Sequence, residues 1–309
     1  MSFSVSFLDF VLKCKYLALF YTTFVQKLFF INKFKKSIHE KIMDSFIKQS
    51  PKNQFLEKYI DSFFEIKFSN KGSDYLPAFP NASMTLGFFI KGGFDILNIG
   101  PVGIKEKILF SKIASHTTWV KPIGEEIELV GVHFKPNAIS LFTDTSLCCL
   151  PKQINPEIIF EGNLKQLSTD IIKTKDVKNR FQIIETFLLA SIKNKPNIRL
   201  DSVYNKIIQQ QGNAKISSIS KQLNITSRTI RNDFKEKIGC SPKHLSRIIR
   251  FHSTLNKIIS NIPQNQSLDL AFENGYFDQS HFINDFKYFS GLTPKQLFIK
   301  NPNFRFFQF

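Results

Sequence analysis

Cysteine and histidine are scarce in this chain, at four and six among 309 residues. Cys14, Cys148, Cys149 and Cys240 are dispersed apart from one adjacent pair, which fits neither a disulfide scaffold nor a zinc spacing. A reducing, cytoplasmic setting is the expectation. No histidine stands in an H-x-H or H-E-x-x-H pattern, and no G-x-G-x-x-G or Walker-type loop occurs. The expectation is therefore a protein that is not an enzyme, with no catalytic residues, no cofactor and no structural metal. Acidic residues are also short: 25 against 42 Lys and Arg leave a net charge of +17, which favours a polyanion or an acidic surface without saying which. Abundant Phe, Ile, Lys and Asn, residues with A- and T-rich codons, account for part of that basicity, so its distribution matters more than its total. Residues 206–262 hold eleven Lys or Arg against Asp233 and Glu236, whereas residues 263–309 balance four against four.

A long uncharged apolar run is missing as well. Residues 1–42 carry seven Lys and a strongly apolar stretch from Phe7 to Ile31, but its longest central run without charge, Tyr16 to Gln26, has eleven residues. That is too short to span a bilayer as a helix, and no small-residue cleavage site follows it. Three readings stay open for this extension: a membrane-associated segment with snorkelling lysines, an ordered extra helix, or a start codon placed too far upstream, with Met43 as the true start.

From Gln54 to Leu150 short β-type runs alternate with turn signals. Candidate strands are Phe63–Lys67, Met84–Phe89, Phe94–Ile99, Ile108–Phe110, Thr117–Lys121 and Glu128–Phe134, separated by Lys91-Gly92-Gly93, Gly100-Pro101 and Lys121-Pro122. This spacing predicts an antiparallel sandwich or small barrel rather than a βαβ fold. Leu164 to Ser191 then turns helical, with Phe181, Ile184, Phe187, Leu188 and Ile192 at spacings of three and four, until Asn194-Lys195-Pro196 ends it. Asp74, His116, Glu125, Glu126 and His133 are dispersed polar residues for which solvated or locally bonded roles come before any pocket.

The informative part is a duplication. Ile216, Ile219 and Leu223 share one helical face, Asn224 suits the exit, Thr226 suits the cap of a second helix, and Ile225 and Ile230 form a hydrophobic staple around it. About 52 residues later Ala271, Gly275, the cap Asp278 and the pair Phe277 and Phe282 repeat the plan. Each second helix runs into one more shared device, Phe234-Lys235 to Gly239, Ser241 and Pro242 against Phe286-Lys287 to Gly291, Thr293 and Pro294. These are two helix-turn-helix units. A helix from Pro242 to about Ile259 would be ~27 Å long at 1.5 Å per residue, holding two recognition helices near the ~34–36 Å that separates successive major grooves.

The fold class expected is therefore α+β: a β-rich N-terminal sandwich or small barrel domain plus an all-α C-terminal domain with two helix-turn-helix units. The bounds are a 1–42 extension, a 43–193 domain with a helical tail, a 194–206 linker, a 207–300 DNA-binding domain and a 301–309 tail. The function expected is sequence-specific binding of double-stranded DNA across two successive major-groove segments. The outward side of the first unit offers Ser227, Arg228, Arg231, Asn232 and Lys235, and the joining helix offers Lys243, Arg247 and Arg250. The second unit offers Gln279, Ser280, Asn284 and Lys287, with His281 as either a contact or a packing residue. Arg228 and Arg231 suit guanine edges, Gln279 an adenine edge or a phosphate, and Arg247 and Arg250 phosphates.

Residues 208–300 closely resemble the DNA-binding domain of the AraC family of bacterial regulators. The text that carries the likeness is Gly275-Tyr-Phe-Asp-Gln-Ser-His-Phe282, then Phe286-Lys287 and Gly291-Leu-Thr-Pro294. The resemblance implies that Thr226 to Lys235 and Asp278 to Lys287 are the recognition helices. Ser220, Asn232 and Ser267 depart from the family's usual residues. The middle of the chain resembles, more loosely, the N-terminal domain of a subset of these regulators, which by analogy makes it a sensing or dimerisation domain. Beyond DNA, the candidate partners are RNA polymerase, a small-molecule or protein effector on that domain, and a second copy of the chain. An alkyl-transfer repair enzyme with a similar DNA-binding part would need an activated cysteine in a setting such as Pro-Cys-His. Here Cys148-Cys149 runs into Leu150 and Pro151, and Cys240 into Ser241.

Overall fold

The computed structural model describes residues 44–70, 72, 75–151, 153–259 and 273–300. The 1–42 extension, Met43, Asp74, Ser267, Ala271 and the 301–309 tail lie outside the described residues. The chain runs β1 (Ser45–Gln49), α1 (Gln54–Glu57), β2 (Ile60–Ser69), β3 (Leu76–Ala78), β4 (Met84–Ile96), β5 (Gly100–Val102), β6 (Ile108–Ser111), β7 (Thr118–Phe134) and β8 (Gln153–Ile154). The strands form an eight-stranded antiparallel sheet in the order β1-β2-β7-β4-β6-β8, with β3 paired to β7 and β5 to β4.

Two strands are longer than the turn signals predict. Met84–Phe89 and Phe94–Ile99 belong largely to one strand, β4, and the runs around Thr117–Lys121 and Glu128–Phe134 are joined in β7. Lys91-Gly92-Gly93 is not a turn but an irregularity in the ladder, where β7 spends Gly124 to Ile127 against Gly92. Gly92 has φ +63°, and a Cβ there would lie 2.4 Å from Ile127 and 2.6 Å from the Glu126 carbonyl. Gly124, with φ +105°, comes close to the Gly92 Cα. The two glycines let both strands bend at one level, as bulges do.

Adjacent residues on these strands enter different cores. Phe63, Phe88, Val130 and Val132 belong to one cluster, while Phe64, Phe89, Leu129 and Ile127 join Phe94, Ile96, Val120 and Leu76 in another. Alternation of side chains across a strand explains the split. Since both faces are apolar, both are buried: one inside the bent, sandwich-like sheet and the other beneath the helices.

Helices α2 (Leu164–Lys173) and α3 (Val177–Ala190) cover that second face, with Phe181 stacked on Phe63 at 5.7 Å. An ion-pair cluster ties them to the sheet. Arg180 Nη1 donates to Glu65 Oε2 and Glu128 Oε1, each at 2.6 Å, and its Nε donates to the Thr174 carbonyl. Lys67 Nζ closes the cluster 2.9 Å from Glu65. Burial would raise the Glu128 carboxyl, but hydrogen bonds and charge from Arg180 and Lys67 pull it below its ordinary value.

His133 is buried in the sheet, stacked on Phe64 at 4.2 Å and bonded to Thr85 Oγ1 at 3.0 Å. Burial pushes its imidazole down to about 4, against about 6.5 for an unperturbed histidine. The folded state therefore binds fewer protons than the unfolded state between those values. Its contribution is complete above pH ~6.5 and is lost as the pH falls through about 4. We expect stability to drop by about 2–3 kcal/mol between pH 7 and 4.5 from this group. Urea unfolding across that range should give a steeper slope for the parent than for His133→Gln; equal slopes would remove the assignment.

Next come α4 (Ile198–Gln209), α5 (Ile216–Gln222), α6 (Ser227–Lys237), α7 (Pro242–Ile259), α8 (Gln279–Ser290) and α9 (Pro294–Lys300). Part of the expected 194–206 linker is thus helical, and Leu200, Val203, Tyr204 and Ile207 of α4 are buried. The cluster that holds Phe134 and Leu147 continues into Phe234, Ile238 and Leu245, so sheet and helices share a core. Two backbone contacts add to it. Leu147 lies against Gly239 at the end of α6, and Thr117 donates from both its N–H (3.0 Å) and its hydroxyl (2.7 Å) to the Phe289 carbonyl near the end of α8. Among the described residues no helix is long and apolar enough to cross a membrane, and no group of three or more His, Cys, Asp or Glu is placed to hold a metal ion.

Candidate nucleic-acid interface

The first unit is built as its sequence suggests. Asn224 leaves α5 with φ +53°, Thr226 accepts the Thr229 N–H at 3.1 Å, and Ile230 and Phe234 of α6 are buried. Arg199 of α4 holds Asp233 by two bonds of 2.6 and 2.9 Å, fixing the rotation of α6. With that face turned inward, Arg228, Arg231, Asn232 and Lys235 are exposed and Ser227 is half-buried. The 18 residues of α7 follow from the Ser241 cap, whose hydroxyl accepts the His244 N–H at 3.1 Å.

In the second unit Asp278 caps α8 by accepting the His281 N–H at 2.7 Å, and Gln279, Ser280, Asn284 and Lys287 are exposed. One expectation fails here. Phe277 does not staple against Phe282, because it is 86 % exposed. Tyr276 takes that place, buried and 5.2 Å from the Phe282 ring.

The joining helix also departs from a simple phosphate-binding picture. Arg247 donates to Asp285 through Nη2 at 2.8 Å and Nε at 3.2 Å, and its guanidinium lies over Tyr288 and Phe289. Arg250 Nη2 lies 3.8 Å from the same carboxylate, and its guanidinium lies over Tyr276. Asp285, on the buried side of α8, thus ties that helix to α7. His281 is half-buried, its ring 5.4 Å from Tyr276 and its Nε2 3.8 Å from Asp285, which places it with the packing residues.

Between the units runs a groove of about 800 Å³, lined by Lys215, Arg231, Lys243, Arg250, His281 and Phe277 among others and, among the described residues, by no acidic one. Two of its lining residues carry a buried polar atom without a hydrogen-bond partner, Ser246 Oγ and Arg250 Nε. Buried donors of this kind are costly unless something accepts from them. Lys215 and Ser246 escaped the reading of the sequence. Neither lies on the outward side of a recognition helix, and only the approach of α5, α7 and the loop before α8 brings them together.

Residues 219–299 match the family model described as a helix-turn-helix domain. That match, together with two such units of one plan joined by a single helix, defines a DNA-binding transcription regulator. No curated protein matches the chain. Among solved structures, ToxT from Vibrio cholerae is similar at 12 % identity over 78 % of this chain and 99 % of that one, with a TM-score of 0.46. The C-terminal domain of AraT, a response regulator from Geobacillus stearothermophilus, is similar at 21 % identity over 35 % and 89 %, with a TM-score of 0.32. The AraC-like transcriptional activator CuxR is similar at 12 % identity over 69 % and 86 %, with a TM-score of 0.23. Likenesses this low decide nothing about function. The family model spans both helix-turn-helix units and the helix that joins them.

Proposed function

We propose that the protein is a sequence-specific regulator that lays α6 and α8 into two successive major-groove segments, with the DNA backbone between them crossing the groove. The observation that carries this reading is the groove, lined by Lys215 and Lys243 and, among the described residues, by no acidic side chain. Phosphate oxygens are acceptors of the required charge and geometry. Arg228 and Arg231 are assigned to base edges, Gln279 to an adenine edge or a phosphate, and Lys235, Lys243 and Lys287 to phosphates. The sheet-bearing part, residues 43–193, is assigned to sensing an effector or to pairing with a second copy, residues 207–300 to DNA, and an exposed face to RNA polymerase. Sedimentation of the full chain with and without duplex tests the pairing.

The DNA reading is tested by binding isotherms on a selected and a scrambled duplex across a salt series. Arg228→Ala or Arg231→Ala should cost ~1–3 kcal/mol on the selected duplex and little on the scrambled one. Lys243→Ala should weaken both alike and reduce the salt slope by ~1. An unchanged ratio between the duplexes in both arginine variants would overturn the assignment of α6.

A further inference from the structure

Cys148 and Cys149 sit in a short 3-10 turn, Leu147–Cys149, that stands between the sheet and the first recognition helix. The inner side of the turn is held on two fronts. Leu147 is buried in the core that contains Phe234 and Ile238, and a Cβ added to Gly239 would come within 3.3 Å of the Leu147 Cβ and 3.4 Å of its carbonyl oxygen. From the sheet, Lys112 Nζ donates to the Leu147 carbonyl at 2.8 Å and to the Leu150 carbonyl. The outer side carries the thiols. Cys149 is exposed and Cys148 half-buried, their sulfurs are 3.1 Å apart, and Ser146 Oγ lies 3.3 Å from Cys148 Sγ.

We propose that Cys148 and Cys149 are a redox modification site, oxidised by a peroxide to a disulfide between neighbours, and that this oxidation loosens the anchor of the first recognition helix. The Cys148 thiolate attacks one oxygen of hydrogen peroxide, the O–O bond breaks, and hydroxide leaves a sulfenic acid. The Cys149 sulfur then attacks the sulfenic sulfur, forming the S–S bond and expelling hydroxide, which departs as water with the Cys149 proton. In sum, two thiols and one peroxide give one disulfide and two waters, and sulfur supplies the two electrons. Hydrogen bonds with Ser146 and Cys149, and the positive field of Lys235, draw the Cys148 thiol below its ordinary value, while Cys149 is raised. Cys148 is accordingly the attacking thiol in the proposed step, and Cys149 the resolving one. Cys240, pushed up to about 12 by burial, stays a thiol.

The mechanical step follows from bond lengths. Consecutive Cα atoms lie ~3.8 Å apart across a trans peptide, whereas disulfides usually span ~4.4–6.8 Å between Cα atoms and close the sulfurs to ~2.05 Å. A disulfide between neighbours is therefore strained, and bringing the sulfurs from 3.1 Å to bonding distance has to turn the torsions on either side of the Cys148–Cys149 peptide. Turning the Cys148–Cys149 peptide moves the flanking carbonyls that Lys112 grips and the Leu147 side chain that abuts α6. A strained, exposed disulfide is also easily reduced, so the change is reversible.

The disulfide is independent of the DNA-binding reading; its effect on affinity rests on that reading. The experiment treats reduced full-length protein with hydrogen peroxide, quenches with catalase, and follows three readouts: peptide mass, amide exchange in α6, and duplex binding. The expected result is a 148–149 peptide lighter by two hydrogens, faster exchange over residues 227–239, and at least about fivefold weaker binding, the lower end of usual coupling between sites, all restored by dithiothreitol. Cys148→Ser and Cys149→Ser should abolish all three responses, and Cys240→Ser none. Cysteines that stay reduced, or that pass only to sulfinic and sulfonic acids, overturn the site. A disulfide that leaves α6 exchange unchanged overturns the coupling. Reduced protein that binds no duplex sinks the DNA reading instead, and exchange still decides the inference.

Discussion

Arg180→Ala is expected to lower stability by about 3–5 kcal/mol at neutral pH, the usual result of removing one partner from a buried ion pair. The guanidinium serves three acceptors at once: Glu65, which is 2 % exposed, Glu128, and the Thr174 carbonyl at the end of α2. Without it Lys67, 41 % exposed, is the cation that among the described residues still pairs with both carboxylates. Lysine cannot replace the planar fork, so Arg180→Lys should recover only part of the loss. At ~2–4 °C per kcal/mol for a folded unit of this size, thermal unfolding should fall by roughly 10 °C. The deficit should narrow in acid, because the depressed Glu128 pKa stabilises the fold above its unfolded value near 4.3 and that contribution is lost as the pH falls through the folded value. Combining Arg180→Met with Glu65→Gln and Glu128→Gln should restore most of the stability, since the cost lies in the uncompensated charge. A loss of under about 1 kcal/mol for Arg180→Ala would show that water already reaches Glu65.

The second large effect is expected at Asp285. Its carboxylate is buried between Arg247 and Arg250, and those side chains are 25 % and 15 % exposed, so water compensates them in part when the anion is gone. Asp285→Ala should cost about 2–4 kcal/mol, chiefly by freeing α8 from α7. Arg247→Ala should be milder, because Arg250 still faces the carboxylate, and it should leave the salt slope of DNA binding close to the parent's. Arg250→Ala should lower that slope, since Arg250 lines the groove. Denaturant melts paired with salt-series isotherms on the same three variants separate the roles. A lower slope for Arg247→Ala with no loss of stability would return that residue to the phosphate-binding set.

These two clusters mark where the sequence stops being legible. The caps Thr226 and Asp278, the left-handed exits at Asn224 and Gly275, and the buried pair Phe234 and Phe286 were all readable, because each depends on neighbours within one or two turns. Arg247 reads as an outward cation until Asp285, 38 residues later, comes back against it. Phe277 and Tyr276 are equally apolar candidates for the staple, and only the direction in which the chain leaves Gly275 decides between them. The strand breaks expected at Gly92 and Pro122 follow from local turn chemistry. A bulge uses the same residues as a turn, and the partner strand tells them apart. Arg180, Glu65 and Glu128 are far apart in sequence and carry no local pattern.

The shared core also sets an order of events during synthesis. Leu147 finds its partners Phe234, Ile238 and Leu245 only after roughly 100 further residues have been made, a delay of roughly 5–20 s at ~5–20 residues per second. Until then the helix-facing side of the sheet is complete in sequence but bare in part, and it is the surface that a holdase would meet on the ribosome.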